Sequence, residues 1–144
     1  MKFNRVFVER DLVNDPHTQK VLGRLPGHIH PSTIDNHSDY FGTFKKPYLH
    51  KRDHLNLFLA RKKGQLVKPA PDAYGVKGAP HYYFIHAYNC IYECEYCYLQ
   101  GYFNSPDLVI FTNYQEIGDE IRRHIKLHND QEVWFHAGEF SDSL

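Results

Sequence analysis

The sequence lacks long apolar segments and carries few cysteines. No stretch approaches the ~18 consecutive apolar residues that a membrane-spanning helix requires, and the N-terminus, Met-Lys-Phe-Asn-Arg-Val, lacks the apolar core of a secretion signal. The three cysteines all lie within eight positions, which is not the distribution of a disulfide framework. We therefore expect a cytoplasmic protein with no membrane partner, in a reducing compartment where clustered cysteines bind metal.

An overall excess of one charge is also missing, since 17 Lys and Arg residues balance 17 Asp and Glu residues. The charge is nevertheless uneven along the chain. Residues 45–68 contain eight basic residues against one acid, Asp53, and residues 69–144 contain four against eleven. Such a basic segment either binds the phosphates of nucleic acid or forms an ordinary solvated surface. Apolar residues make up 42% of the chain, enough to build a core, which excludes a largely disordered protein.

Apolar patterning in the first half predicts two strands and a helix. Residues 6–25 predict a strand and then a short helix, with Pro16 interrupting the apolar pattern. Residues 28–53 predict a loop, whose histidines are interpreted as surface residues or, alternatively, as a second metal site. Residues 55–60 predict a strand, and the prolines and glycines of residues 68–80 predict a connection.

The second half predicts two strands joined by a helix. Residues 81–87 and 132–137 are short apolar runs typical of buried strands, and residues 108–112 predict another strand, as an edge element. Between them, Ile117, Ile121 and Ile125 share one helix face, and Thr112 with Gln115 has the spacing of a capping box. A helical crossover between two apolar strands predicts a parallel pair and an α/β fold.

Three cysteines follow the strand predicted at 81–87, in the arrangement C-x3-C-x2-C. Thiolates are the usual ligands of iron–sulfur clusters. Cys90, Cys94 and Cys97 can bind three irons of a cubane and leave the fourth iron open for a cosubstrate. Alpha/beta folds place ligands beyond the carboxyl ends of strands, where this loop is predicted to lie. Two alternatives remain: a zinc site completed by a histidine such as His86 or His81, and ordinary buried thiols.

The motif Cys-x3-Cys-x-Tyr-Cys, with Tyr96 before the last cysteine, resembles the signature of the radical S-adenosylmethionine (radical SAM) superfamily. The longer string Cys94-Glu-Tyr-Cys-Tyr-Leu-Gln-Gly-Tyr102 resembles the spore photoproduct lyase family. This resemblance is strong at residues 90–102 and looser elsewhere, at Val6-Phe-Val-Glu-Arg, in the basic segment, in the helix and at Phe135–Asp142.

The resemblance implies the N-terminal portion of a partial (β/α)6 radical SAM barrel with an N-terminal extension. Residues 1–79 would form the extension, and residues 80–144 the first β-α-β portion of the barrel. Two parallel strands expose too much sheet to stand alone. We therefore expect the N-terminal part of a longer enzyme, or an unusually reduced one.

The resemblance also implies the site residues. Cys90, Cys94 and Cys97 would hold a [4Fe–4S] cluster, with S-adenosylmethionine on its open iron. Tyr96 would flank the adenosyl group, and Gly138-Glu139 resembles the glycine-glycine-glutamate motif that receives the ammonium group of S-adenosylmethionine. Ser141 and Asp142 match a Ser-Asp pair of the family, and Tyr96 with Tyr98 matches a tyrosine pair in its radical relay.

The activity implied is that of a carbon–carbon lyase in DNA repair. Such an enzyme takes an electron from a donor such as flavodoxin or ferredoxin, and it cleaves S-adenosylmethionine to a 5′-deoxyadenosyl radical that opens the thymine dimer called spore photoproduct. One departure is plain. Glu139 stands where the family has a hydrogen-donating cysteine, and the chain has no fourth cysteine. This departure favours the alternative of a radical SAM relative with another substrate, and a non-catalytic iron–sulfur or zinc module is a third hypothesis.

Overall fold

Alternating apolar residues form the first strand, in which Val6 and Val8 point into the core. The first helix follows a side-chain cap, because the Asp15 carboxylate accepts a hydrogen bond from the Thr18 N–H at 2.8 Å. Pro16 is the first residue of that helix, where its missing N–H costs nothing. The predicted strand and short helix are thus confirmed, with Pro16 beginning the helix.

A computed structural model describes residues 2–43, 54–71, 78–92, 94–99, 101–129 and 131–142. The first part of the basic segment, residues 45–53, lies outside the described residues. None of the helices in the described ranges is long and apolar enough to cross a membrane. The elements, in chain order, are β1 (Lys2–Glu9), α1 (Pro16–Leu22), β2 (Ser32–Ile34), β3 (His54–Ala60), β4 (Val67–Pro69), β5 (His81–Phe84), β6 (Ala87–Tyr88), β7 (Leu108–Phe111), α2 (Tyr114–Leu127) and β8 (Trp134–Ala137).

A five-stranded sheet in the order β2-β1-β3-β7-β6 forms the larger layer. The first four of these strands are parallel, and β6 pairs antiparallel with β7. Its two faces carry separate apolar clusters, one around Leu57, Leu59 and Leu108 and the other around Phe58 and Phe111. Buried parallel strands of this kind define a mixed α/β fold.

Two predictions for this sheet are wrong. Residues 108–112 were expected at an edge, but β7 lies between β3 and β6 and is almost wholly buried. The segment 28–53 was expected to be a loop, but Ser32–Ile34 pairs parallel with β1. Both errors have one cause: strand position in a sheet is set by pairing with distant residues, which local patterning does not reveal.

A three-stranded sheet in the order β4-β5-β8 forms the second layer. Strands β5 and β8 are parallel, with Phe84 opposite Ala137, and α2 connects β7 to β8. The predicted parallel pair is therefore confirmed. The expectation that 132–137 is a buried strand is wrong for the described residues, because Trp134, His136 and Ala137 are exposed. Strand β8 is at the end of this sheet and, among the strands that the structure describes, pairs with β5.

Helix α2 agrees with its prediction in extent but not at its cap. Asn113, not Thr112, is the N-cap residue, and no capping box forms. The side-chain oxygen of Asn113 accepts a hydrogen bond from the Lys62 N–H, and its side-chain nitrogen donates one to the Glu116 carboxylate. The Thr112 hydroxyl lies 2.6 Å from that of Thr18 in α1. Of the predicted apolar face, Ile117 is buried and Ile125 is 49% exposed.

The chain crosses from the second sheet to the first between β5 and β6. The main-chain oxygen of His86, in this crossing, accepts a hydrogen bond from the Phe111 N–H at 2.9 Å. Strands β6 and β7 thus join a sheet whose other strands come from residues 2–60. The division of the chain at residues 79 and 80 stays a prediction. The crossing brings the carboxyl ends of β5 and β8 next to the start of the cysteine loop.

Candidate functional site

Asn89 holds the two ends of the cysteine loop together. Its buried side-chain amide donates hydrogen bonds to the main-chain oxygens of Ser105, at 2.8 Å, and Asp107, at 2.6 Å. Its φ of 60° lies in the left-handed region, which Asn tolerates better than most residues. Sequence reasoning missed Asn89, although an Asn directly before the first cysteine was the available signal. The loop is therefore closed at its base by a buried polar clamp.

The three cysteines are half-buried thiols on this loop. A turn joins the second to the third, since the Cys97 N–H donates to the Cys94 main-chain oxygen at 3.0 Å. The Tyr92 N–H donates to the Cys90 Sγ at 3.4 Å. A donor of this kind stabilises negative charge on a ligand sulfur. The donor set, three thiols on one short loop at the crossing between the sheets, suits a cluster that takes one thiolate per iron.

Zinc requires four ligands around one point, and an iron–sulfur cluster requires its cysteines around one cubane. No three His, Cys, Asp or Glu side chains in the described ranges are grouped so as to hold a metal ion. His81 and His86, the suggested fourth zinc ligands, instead face the His136 ring and the Asp142 main-chain oxygen.

Gly138 begins the turn that follows β8, and only glycine fits there. Its φ is 85°, and an added Cβ would lie 2.5 Å from the Ser141 main-chain oxygen and 3.1 Å from the His86 ring. The Gly138 N–H donates to the Phe84 oxygen at 3.4 Å, and the Ser141 N–H donates back to Gly138 at 3.3 Å. The turn therefore continues the β5–β8 pairing and then folds tightly on itself.

The cysteine loop and this turn are in contact. The Tyr98 hydroxyl donates a hydrogen bond to the Glu139 main-chain oxygen at 3.3 Å. The Phe140 ring packs against Tyr102, with centroids 5.1 Å apart, and against Phe103 at 5.5 Å. Two of the predicted site residues, Tyr98 and Glu139, are thus brought together across 41 positions of sequence.

The other predicted residues occupy less constrained positions. Tyr96 is 92% exposed, although it lies in the turn between Cys94 and Cys97. Ser141 donates from its hydroxyl to the Asp142 main-chain oxygen at 3.4 Å. Both Ser141 and Asp142 lie in the turn that Gly138 begins. The roles predicted for these side chains toward a cofactor stay predictions.

His86 lies beneath the turn, and its tautomer follows from its partner. Its Nε2 is 3.1 Å from the Asp142 main-chain oxygen. A carbonyl oxygen only accepts, so Nε2 carries the hydrogen. The other nitrogen, Nδ1, is buried and has no hydrogen-bond partner in the described part of the chain. His86 thus supports the Gly138–Asp142 turn, and its buried Nδ1 lies at the site.

The Glu139 carboxylate affects a nearby phenol. Burial raises the pKa of Tyr88, and the negative charge of Glu139 raises this pKa further. The Tyr88 ring also lies 6.0 Å from that of Phe140. A carboxylate and a protonated phenol therefore lie near the junction of the two loops.

A buried carboxylate organises the carboxyl end of the first sheet. Glu9 is fully buried, and its oxygens accept from the His37 ring at 2.8 Å, the His37 N–H at 2.9 Å and the Arg61 N–H at 2.8 Å. Burial alone would raise the pKa of Glu9, but these hydrogen bonds and the nearby His37 lower it to about 2. Glu9 therefore stays ionised in the interior.

Arg61, from the basic segment, is neutralised within the fold. Its guanidinium pairs with Asp11, at 2.5 Å, and with Glu116. Burial lowers the pKa of the Lys62 ammonium, and the positive charge of Lys68 lowers it further. Arg61, the one arginine of the basic segment that the structure describes, is therefore paired with carboxylates and is not available to bind a phosphate.

These features define a class: an α/β protein in which a three-cysteine loop and a glycine-dependent turn meet at the carboxyl ends of two parallel strands. Solved structures of spore photoproduct lyase share this fold. One, in complex with dinucleoside spore photoproduct, has a TM-score of 0.66 and 19% identity over 98% of this chain. A double mutant with bound AdoMet and dinucleoside spore photoproduct has a TM-score of 0.63 and 17% identity over 99% of this chain.

The chain covers 41% of each of these two lyase structures. No protein-family model matches the chain, and no curated protein sequence matches it. The likeness to spore photoproduct lyase is therefore one of fold.

Proposed function

We propose that this chain is part of a radical SAM enzyme related to spore photoproduct lyase, a carbon–carbon lyase that repairs a thymine dimer in DNA. The observation that carries the proposal is the contact between the cysteine loop and the Gly138–Asp142 turn, through Tyr98 and Glu139. The shared fold supports it. In this proposal residues 80–144 supply the first β-α-β portion of a barrel, and residues 1–79 precede it as an extension.

Cys90, Cys94 and Cys97 would hold a [4Fe–4S] cluster. When bound and reduced by a donor such as flavodoxin or ferredoxin, the cluster supplies the electron that cleaves S-adenosylmethionine into methionine and a 5′-deoxyadenosyl radical. The half-burial of the thiols limits the access of water, and the Tyr92 N–H stabilises charge on the Cys90 sulfur.

The Gly138–Asp142 turn would bind the cosubstrate. Glycine allows close approach of the backbone, and the exposed Glu139 carboxylate can accept hydrogen bonds from an ammonium group. Tyr96, almost fully exposed, would flank the adenosyl group, and Ser141 and Asp142 would line the same site. The buried Nδ1 of His86 is a further polar atom beneath the turn.

The DNA substrate is proposed because the similar solved structures hold dinucleoside spore photoproduct. Tyr98, and Tyr96 near it in sequence, would serve in the radical relay. Glu139 stands at the position where the family has a hydrogen-donating cysteine, and a carboxylic O–H is a poorer hydrogen-atom donor than a thiol. This observation supports a second candidate function, a radical SAM relative that acts on a different substrate.

The test uses anaerobically purified chain reconstituted with iron and sulfide. We expect a brown protein with absorbance near 400 nm, and formation of 5′-deoxyadenosine from S-adenosylmethionine after reduction. Cys94→Ser should abolish both signals, whereas the matched loop variant Ile91→Val should retain them. Restoration of the two thymines from spore photoproduct would support the lyase, and cleavage of S-adenosylmethionine without repair would support the relative.

A different result would sink both candidates. If the purified protein contains about one zinc per chain, no sulfide and no absorbance near 400 nm after reconstitution, the cysteines serve a non-catalytic metal-binding module. The Cys94→Ser variant would then lose zinc.

A further inference from the structure

A cleft of about 760 Å³ lies on the side of β1 remote from the cysteines. Strand β2 pairs only with Phe7, Val8 and Glu9, so the earlier half of β1 is not paired by β2 on that edge. The segment from Leu25 to Ser32 forms the opposite wall of the cleft. The volume lies in the range of ligand sites, ~300–1,000 Å³.

A bulge in β1 brings two kinds of side chain to this cleft. The register with β3 passes from Phe3 opposite Leu55 to Arg5 opposite Asn56, so Asn4 is the extra residue. Phe3 consequently packs on the same cluster as Val6, while Arg5 lies in line with Phe7 on the opposite face. Because the cleft is at the strand edge, both Phe3 and Arg5 line it.

The lining combines positive charge and hydrogen-bond donors with an apolar wall. Arg5, His28 and His30 are exposed polar residues of the lining, and Phe3, Leu25 and Ile29 form its apolar part. No Asp or Glu of the described residues lines the cleft. The histidines were assigned no role by the sequence patterns.

Arg5 differs from the arginines that are neutralised by neighbours. Four others pair with carboxylates, namely Arg10, Arg61, Arg122 and Arg123. No carboxylate in the described ranges forms an ion pair with Arg5. An unpaired guanidinium in an acid-free cleft is suited to an anion, and its planar fork matches the oxygens of a phosphate.

We propose that this cleft binds a single-stranded segment of nucleic acid. Arg5, His28 and His30 bind a phosphate of the strand, and one of its bases packs against the apolar wall formed by Phe3 and Ile29. The combination of cationic and apolar surfaces is the one that recognises unpaired nucleotides. The inference deepens the proposed function and rests on it for the choice of DNA.

Fluorescence anisotropy of the full chain with a labelled 12-nucleotide thymidine oligomer tests the cleft. Arg5→Gln should raise Kd about five- to tenfold at 50 mM salt and lower the salt slope of log K by about 0.7, because one phosphate contact is lost. Arg24→Gln is the matched control, since Arg24 is also an exposed arginine and does not line the cleft. Its Kd should change less than about twofold.

Two further measurements compare a free nucleotide with the oligomer and a duplex with the single strand. Thymidine monophosphate should compete with the oligomer only at much higher concentration, and the matching duplex should bind more weakly than the single strand. Equal Kd values for Arg5→Gln and Arg24→Gln would overturn the proposal, as would tighter binding of the duplex. A thermal unfolding curve for Arg5→Gln equal to that of the parent chain excludes misfolding as the cause.

The same proteins distinguish this proposal from the proposed function. Cleavage of S-adenosylmethionine in the absence of DNA should be equal for the parent chain, Arg5→Gln and Arg24→Gln. Cleavage with no difference in DNA binding between the variants would reject the cleft and keep the enzyme. A selective loss of DNA binding in Arg5→Gln, in a chain that never cleaves S-adenosylmethionine, would keep the cleft and reject the enzyme.

Discussion

The Tyr98 hydroxyl donates a hydrogen bond to the main-chain oxygen of Glu139, 3.3 Å away and 41 residues further along the chain. Tyr98 directly follows the last cysteine of the loop, and Glu139 directly follows Gly138 in the turn after β8. This bond therefore ties the candidate cluster loop to the candidate cosubstrate turn.

Removal of this bond should weaken cosubstrate binding without loss of the cluster. An exposed neutral hydrogen bond contributes ~0.5–1 kcal/mol, so Tyr98→Phe should raise the Kd for S-adenosylmethionine about two- to fivefold, as measured by equilibrium dialysis with reconstituted protein. Tyr102→Phe is the control, because it also removes an exposed phenolic hydroxyl from the loop and Tyr102 has no proposed role toward the cosubstrate. Equal Kd values for the two variants would contradict the role of the Tyr98 bond.

Gly138→Ala should be far more disruptive than a comparable substitution elsewhere. Gly138 and Gly101 both have positive φ, 85° and 90°, but only Gly138 has atoms that would meet an added Cβ. We expect Gly101→Ala to lower the free energy of unfolding by about 1 kcal/mol, and Gly138→Ala by at least ~2 kcal/mol. Urea denaturation measures both, and equal losses would show that the turn relaxes without cost.

Asn89 allows backbone strain to be separated from hydrogen bonding. Asn89→Gly removes both side-chain bonds but tolerates the left-handed backbone, so it should cost ~1–3 kcal/mol. Asn89→Ala should cost about 1 kcal/mol more, since alanine is strained at positive φ. Urea denaturation of the two variants measures the difference. If Asn89→Gly unfolds like the parent chain, the buried clamp contributes nothing to stability.

The buried Glu9 predicts a loss of stability in acid. Its pKa is about 2 in the folded chain against an ordinary value of 4.5. A depressed carboxyl pKa adds stability above the ordinary value, and this is lost as pH falls from about 5 toward 2; the shift corresponds to roughly 3 kcal/mol. Urea denaturation between pH 3 and pH 7 measures this decline.

The control for this prediction is Glu9→Gln, which cannot titrate. Its stability should be lower than that of the parent chain at pH 7, because the side-chain amide replaces one accepting oxygen by a donor. Its stability should also decline less between pH 5 and pH 3. Parallel curves for the two proteins would assign the acid sensitivity to other carboxyl groups.

Local patterning predicted the elements better than their places in the sheets. The apolar run at 55–60 and the helix around Ile117 are found where they were expected. Strand β7 is central instead of peripheral, and β8 is exposed instead of buried. An apolar run reports that a segment can be buried, but its neighbours in the sheet come from distant parts of the chain.

The site shows the same division. The type and spacing of Cys90, Cys94 and Cys97 were readable from sequence, because a cluster loop is local. Asn89 was not assigned to the site, and His86 was suggested only as a zinc ligand, since their significance lies in contacts with Ser105, Asp107 and Asp142. A basic residue such as Arg61 also could not be assigned to phosphate or to an internal acid until its neighbours were known.

The sequence alone determined that three thiols lie on one short loop, that two apolar strands flank a helical crossover, and that glycine stands before Glu139. The tertiary structure decided that the loop meets the turn, through Tyr98 and Glu139, and that Arg5, which pairs with no carboxylate of the described residues, lines a cleft on the other side of β1. The reason is physical: the chemistry of a motif is carried by adjacent residues, whereas the meeting of two motifs depends on strand pairing over tens of residues.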